Sequence, residues 1–254
     1  MAILDYSADV WRTALSLSEA DIPQALILEG TWWRETATAN RLNKLEKVRE
    51  LDFPDMYIGA WKGIPVAYCC EYGAARAVEP AHIFAQLGTP LLIQIGTCGI
   101  LDAAIRPGTV TLPEVCEACD GISSIYGAAD SVQIDNKWMA MAEHLLHDLN
   151  LDTRRTRHLT WPSLFAQSDA MCDDWASSGI KSIDMETSVV VAVANHFKVS
   201  AVSMLSAWDV LKNNKTFLDP LSDEDTLMLQ RSNEQIYNVA LSLAEAVQDQ
   251  RSVR

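Results

Sequence analysis

The sequence predicts an α/β fold: a single domain with a mixed, mostly parallel central β-sheet flanked by helices. Three observations carry this. Short β-type runs that stop at glycine alternate with helical stretches, the pattern that covers both faces of a sheet with helices. The chain has 254 residues, 49% of them apolar and 21% charged, enough for one large core and ordinary for a globular protein. No internal repeat, low-complexity tract or Pro/Ser-rich linker marks a second domain. We therefore read 1–254 as one unit, with 1–24 as an N-terminal extension packed on it.

Taken in order, Ala25 to Glu29 is a short apolar strand that stops at Gly30. Met56 to Trp61 and Ile64 to Cys70 flank Lys62-Gly63, a hairpin signal that makes part of the sheet antiparallel. Pro90 to Ile95, which runs into a Gly96-Thr97-Cys98-Gly99 turn, and Val199 to Ser206 read as central strands, apolar throughout because both faces are covered. Helices are expected over Ala77 to Leu87, Asn136 to Leu149, Glu186 to Phe197 and Ser222 to Ala246, the last opened by a Ser222/Asp225 cap.

Charge and cysteine usage narrow the function. A formal net charge of −14 opposes binding to nucleic acid or to an acidic membrane, so any anionic substrate depends on a few placed arginines. The longest strongly apolar run, Val189 to Ala194, is far short of a membrane span, and Met1 to Val10 lacks the basic and apolar regions of a secretory signal. A cytoplasmic location is expected. The six cysteines do not form a secreted framework, and the Cys116/Cys119 CxxC lacks the partners that would complete a zinc site. Both are expected to be buried strand-end residues. No metal and no cofactor is expected.

Ligands of open α/β sheets collect where strands end in glycine, because backbone N–H groups there approach a phosphate or a sugar closely. Three such places stand out: Gly30-Thr-Trp-Trp-Arg34, Gln94-Ile-Gly-Thr97-Cys-Gly99, and Ile183-Asp184-Met185-Glu186 at a helix start. Their order and wording resemble the nucleoside phosphorylase family, which comprises the purine nucleoside and uridine phosphorylases with the related nucleosidases. The resemblance runs from Ala25 to Val210. Gly30 to Arg34 is similar to the family's Gly-Asp-Pro-x-Arg, Gly96 to Gly99 to its Gly-Ser/Thr-x-Gly, and Asp184-Met185-Glu186 to its Glu-Met-Glu.

The resemblance implies phosphorolysis of a nucleoside, with inorganic phosphate as co-substrate, and a homo-oligomer, either a dimer or a hexamer. It implies that Gly30, Arg34 and Thr97 hold phosphate, with Arg49 a candidate for donation by a neighbouring subunit; Arg76, which is unusual for the family pattern, is a further candidate for the same place. Glu186 then binds the ribose hydroxyls by charge-assisted bonds, Met185 packs under the nucleoside, Phe165 stacks on the base, and Asp184 replaces the family's first Glu. Asp209 becomes the acid that protonates a departing purine if a one-residue offset is assumed. Its presence, and the short Phe165 to Ile180 segment with only Gln167, favour a purine over uracil. Trp32, Trp33, Trp161 and Trp208 are expected beside the site. One departure cuts against phosphate: Gln94 stands where the family's phosphorylases carry Arg. A nucleosidase using water, with Glu35 near the position of its activating carboxylate, stays open beside the phosphorylase reading. So do a uridine phosphorylase and a catalytically silent nucleoside-binding protein.

Overall fold

The computed structural model describes residues 3–211 and 216–252. Ten strands form one mixed sheet among these residues. In chain order they are β1 (Ala25–Gly30), β2 (Glu46–Glu50), β3 (Met56–Trp61), β4 (Ile64–Cys70), β5 (Leu91–Ile100), β6 (Val110–Ala118), β7 (Ser131–Gln133), β8 (Thr153–Thr160), β9 (Ser182–Asp184) and β10 (Ser200–Val210). The helices are α1 (Ala8–Ala14), α2 (Arg34–Leu42), α3 (Ala74–Leu87), α4 (Asn136–Asp148), α5 (Asp169–Ser177), α6 (Thr187–Phe197) and α7 (Asp223–Ser252).

The strand order is β10-β6-β8-β9-β5-β1-β4-β3-β2, and β10 also pairs with β5, so five strands close on themselves and the rest extend as an open sheet. Strand β1 lies parallel between β4 and β5, while β5 pairs parallel with β10 and antiparallel with β9. Antiparallel pairs also join β2 to β3, β3 to β4, β6 to β7 and β6 to β10, so the antiparallel share exceeds the single hairpin legible in the sequence. That hairpin turns at Lys62 and Gly63, both with positive φ, as a tight two-residue turn requires.

Strand alternation builds two cores. Leu26 and Leu28 face the layer that contains α3 and α6, whereas Ala25 and Ile27 face α4 and α7. Trp11, Leu15 and Leu17 from the N-terminal segment are buried in the first layer. No described helix is long and apolar enough to cross a membrane.

Several expected boundaries move. Helix α3 starts at Ala74 rather than Ala77, and α7 runs on to Ser252, although Ser222 Oγ does accept from the Asp225 N–H at 3.1 Å as a cap should. The Gly96 to Gly99 segment is no turn but the second half of β5, because β10 and β9 supply backbone partners that carry it on as strand. Cys116 is buried in β6, but Cys119 lies beyond the strand and is exposed.

Candidate active site

A cleft opens at the C-terminal ends of the parallel strands β1, β5 and β10, where backbone polar groups and helix starts converge. Its lining brings together Gly30, Thr97, Met185, Glu186 and Asp209, residues far apart in sequence.

Glu186 forms the floor. It precedes α6, is only 4% exposed, and its Oε1 accepts from the Gly73 N–H at 2.6 Å. Gly30 makes room for it, since a Cβ there would lie 2.6 Å from Glu186 Oε2. Gly96 in turn lets β5 close on β1, a Cβ at that position falling 2.9 Å from the Gly30 carbonyl oxygen. Two glycines in register across neighbouring strands therefore admit one buried carboxyl group. Burial, reinforced by the charge of Asp184, raises the Glu186 pKa to about 8.

Asp184 points the other way. Its carboxylate accepts from Thr160 Oγ1 at 2.8 Å and from Thr187 N and Oγ1 at 2.9 and 2.6 Å, and it lies 2.9 Å from His158 Nε2. Burial pushes its pKa up, but the His158 ring and these hydrogen bonds outweigh burial and hold it below the usual carboxylate range. It borders the cleft with its acceptor capacity already committed to the protein. His158 carried no signal in the sequence.

Asp209 reaches the cleft through an irregularity in β10. Its pairing with β5 shifts register between Ala207 and Val210, and the bulge turns the intervening side chains. Asp209 is 9% exposed, and burial, partly opposed by the backbone N–H groups of Asp209 and Phe217, raises its pKa to about 6.

Aromatic side chains form the rim. Trp32 stands against Tyr72, Phe165 and Phe217 with ring centroids 5.6, 5.7 and 5.8 Å away, and Trp33 packs on Trp208 at 5.3 Å. Phe165 is 77% exposed and outside the cleft lining, which its neighbours Leu164 and Gln167 enter. Trp161 does not line the cleft but sits behind it, packing on Trp175 and donating its backbone N–H to the Asp184 carbonyl at 2.9 Å. Tyr72 and Phe217 were not singled out from sequence; neither lies in a glycine motif.

The basic residues lie elsewhere. No Arg, Lys or His lines the cleft among the described residues. Arg34 and Arg76 border an adjoining pocket that shares Thr31, Trp32 and Tyr72 with the cleft, and both are paired with carboxylates, Arg34 with Asp55 and Arg76 with Glu71. Gln94 faces the interior, its Oε1 accepting from Thr187 Oγ1 at 3.0 Å and from Ser203 Oγ. Glu35 is exposed and does not line the cleft but borders a surface pocket that meets it at Trp32 and Trp33, and Arg49 donates to the Ser16 carbonyl at 3.1 Å.

The sequence matches the phosphorylase superfamily over residues 26–245. The chain belongs to that superfamily. Among relatives of this phosphorylase-superfamily chain is a DeoD-type purine nucleoside phosphorylase of Alkaliphilus metalliredigens, 22% identical over 78% of this chain and 87% of that protein. A guanosine phosphorylase of Halorubrum lacusprofundi is 21% identical over 71% of this chain and 76% of that one. The same fold appears in a uridine phosphorylase of Vibrio fischeri, with TM-score 0.75, 17% identity, and 89% and 92% of the two chains covered. It appears again in a Campylobacter jejuni 5'-methylthioadenosine/S-adenosyl homocysteine nucleosidase, with TM-score 0.72, 14% identity, and 87% and 98% covered. These neighbours of the superfamily member include both phosphorylases and a nucleosidase.

Proposed function

We propose that the protein cleaves the N-glycosidic bond of a purine nucleoside by transfer to water. The observation that carries this reading is one cleft holding Glu186 and Asp209 with no cationic side chain among its described lining. Cleavage develops positive charge on the sugar and negative charge on the base. Ionised Glu186 accepts from the ribose hydroxyls and offsets the first charge; protonated Asp209 gives its proton to the purine and neutralises the second. Water closes on the anomeric carbon and releases its proton to solvent. Base and free sugar leave, and Asp209 is reprotonated from solvent. A phosphate dianion entering the same cleft would meet Glu186 and Asp209 with no counter-charge among the described lining residues.

A second reading, phosphorolysis, is favoured by Arg34 and Arg76 in the adjoining pocket. Release of free base from inosine, adenosine, guanosine and uridine, followed by chromatography with and without phosphate, separates the two. Purine release at an equal rate without phosphate is expected; release only with phosphate reverses the assignment, and uracil release overturns the purine reading.

The two carboxyl groups predict a pH profile. Ionised Glu186, with a pKa of about 8, and protonated Asp209, with a pKa of about 6, make the competent form a minority species of nearly constant abundance between those values. The ratio kcat/KM, which reports the free enzyme, is expected to be flat from about pH 6 to 8 and to fall about tenfold per unit on either side. A profile still rising at pH 10 would remove Asp209 from this role.

A further inference from the structure

Beside the cleft, two arginines converge on a carboxylate of the chain itself. Arg34, at the first turn of α2, and Arg76, in the first turn of α3, converge on a single carboxylate oxygen. Asp55 Oδ2 accepts from Arg34 Nη2 and lies 3.4 Å from Arg76 Nη2. Arg76 is also bound through Nε to Glu71 Oε2 at 2.8 Å, Glu71 being 4% exposed. Guanidinium N–H groups directed at an anionic oxygen are how arginines grip a carboxylate or a phosphate. Here the oxygen belongs to a side chain.

Asp55 is held in place for this. It sits in the turn before β3 with φ +64, in the left-handed region that Asp and Asn tolerate better than most residues, and its N–H donates to Glu50 Oε1 at 2.9 Å. Arg34 Nε is buried without a hydrogen-bond partner, a donor that the single carboxylate leaves unused. With Asp55 and Glu71 opposite Arg34 and Arg76, the cluster is neutral. It adjoins the cleft through Thr31, Trp32 and Tyr72.

We infer that Asp55 is a built-in competitor for an oxyanion such as phosphate, occupying the two-arginine site beside the cleft and keeping a free anion out. This rests on the hydrolytic reading above and supplies its cause: water is the nucleophile because the anion position is taken by a tethered carboxylate. A tethered group competes at high effective concentration, so weak anion binding elsewhere in the pocket does not displace it.

Replacing Asp55 with Asn suits the left-handed turn and removes the charge, leaving Glu71 as the carboxylate bonded to Arg76, with Glu50 and Glu79 near by. Calorimetric titration with inorganic phosphate at low ionic strength is expected to give at least tenfold tighter binding to Asp55→Asn than to the wild type. Asp55→Gly, which suits the same backbone angle, is expected to gain likewise, and adding Arg34→Gln to either is expected to abolish the gain. Equal affinity in wild type and both folded single variants, or a gain that survives Arg34→Gln, overturns the inference. Calorimetry reads binding whether or not base is released. Loss of the hydrolytic reading would show in the base-release assay, and loss of this inference in the titration.

Discussion

Asp209→Ala is expected to lower kcat by about 10²–10⁴, the range that a positioned general acid supplies. The residue is nearly buried at the bulge of β10, and its raised pKa of about 6 leaves a usable fraction protonated near neutrality, where an ordinary carboxyl would be almost fully ionised. The loss should be specific to the departing base: nucleosides carrying a better leaving group are expected to recover most of the rate. The pH profile should change form as well. With Asp209 gone, only the ionisation of Glu186 remains, so kcat/KM is expected to rise to a plateau above about pH 8 with no descending limb. Steady-state kinetics across pH in the two proteins is the measurement. An unchanged rate, or a descending limb that persists, would assign the proton to another donor.

Glu186→Gln is expected to disable the enzyme and stabilise the fold together. Two hydrogen bonds to a charged acceptor are worth about 1.5–3 kcal/mol each, so losing the charge should cost roughly 10²–10⁴ in kcat/KM. Stability moves the opposite way. The Glu186 pKa rises on folding from an ordinary 4.5 to about 8, so the folded state binds an extra proton between those values and loses stability as pH climbs through them. Above about pH 8 the buried charge costs about 4–5 kcal/mol as an upper limit, which Gln does not incur. Gln also keeps the oxygen that accepts from Gly73 N–H. The melting temperature of the variant is expected to exceed that of the wild type by roughly 5–15 °C at pH 9 and to differ little at pH 4.5. A gap equal at both pH values would mean that Glu186 is not the buried proton acceptor. Such a trade, stability given up to hold an unfavourable group in place, is a mark of functional sites.

By itself the sequence determined the fold class and the floor of the cleft. Strands β1, β4, β5 and β10 were legible because strands covered on both faces are rich in apolar residues along their length. Gly30, Thr97, Met185, Glu186 and Asp209 were legible because glycine next to a strand end leaves room for a polar group, and motif order keeps such groups together. Tertiary structure alone decided which charges are free. That Asp184 is held by His158, Thr160 and Thr187 depends on how β8 and β9 lie beside α6. That Gln94 turns inward depends on Ser203 of the adjacent β10. Arg34 and Arg76 read as a ready anion site until the turn before β3 brings Asp55 between them. A carboxylate and a guanidinium 21 residues apart carry no periodic signal along the chain, and whether they meet is set by the packing of the elements that bear them.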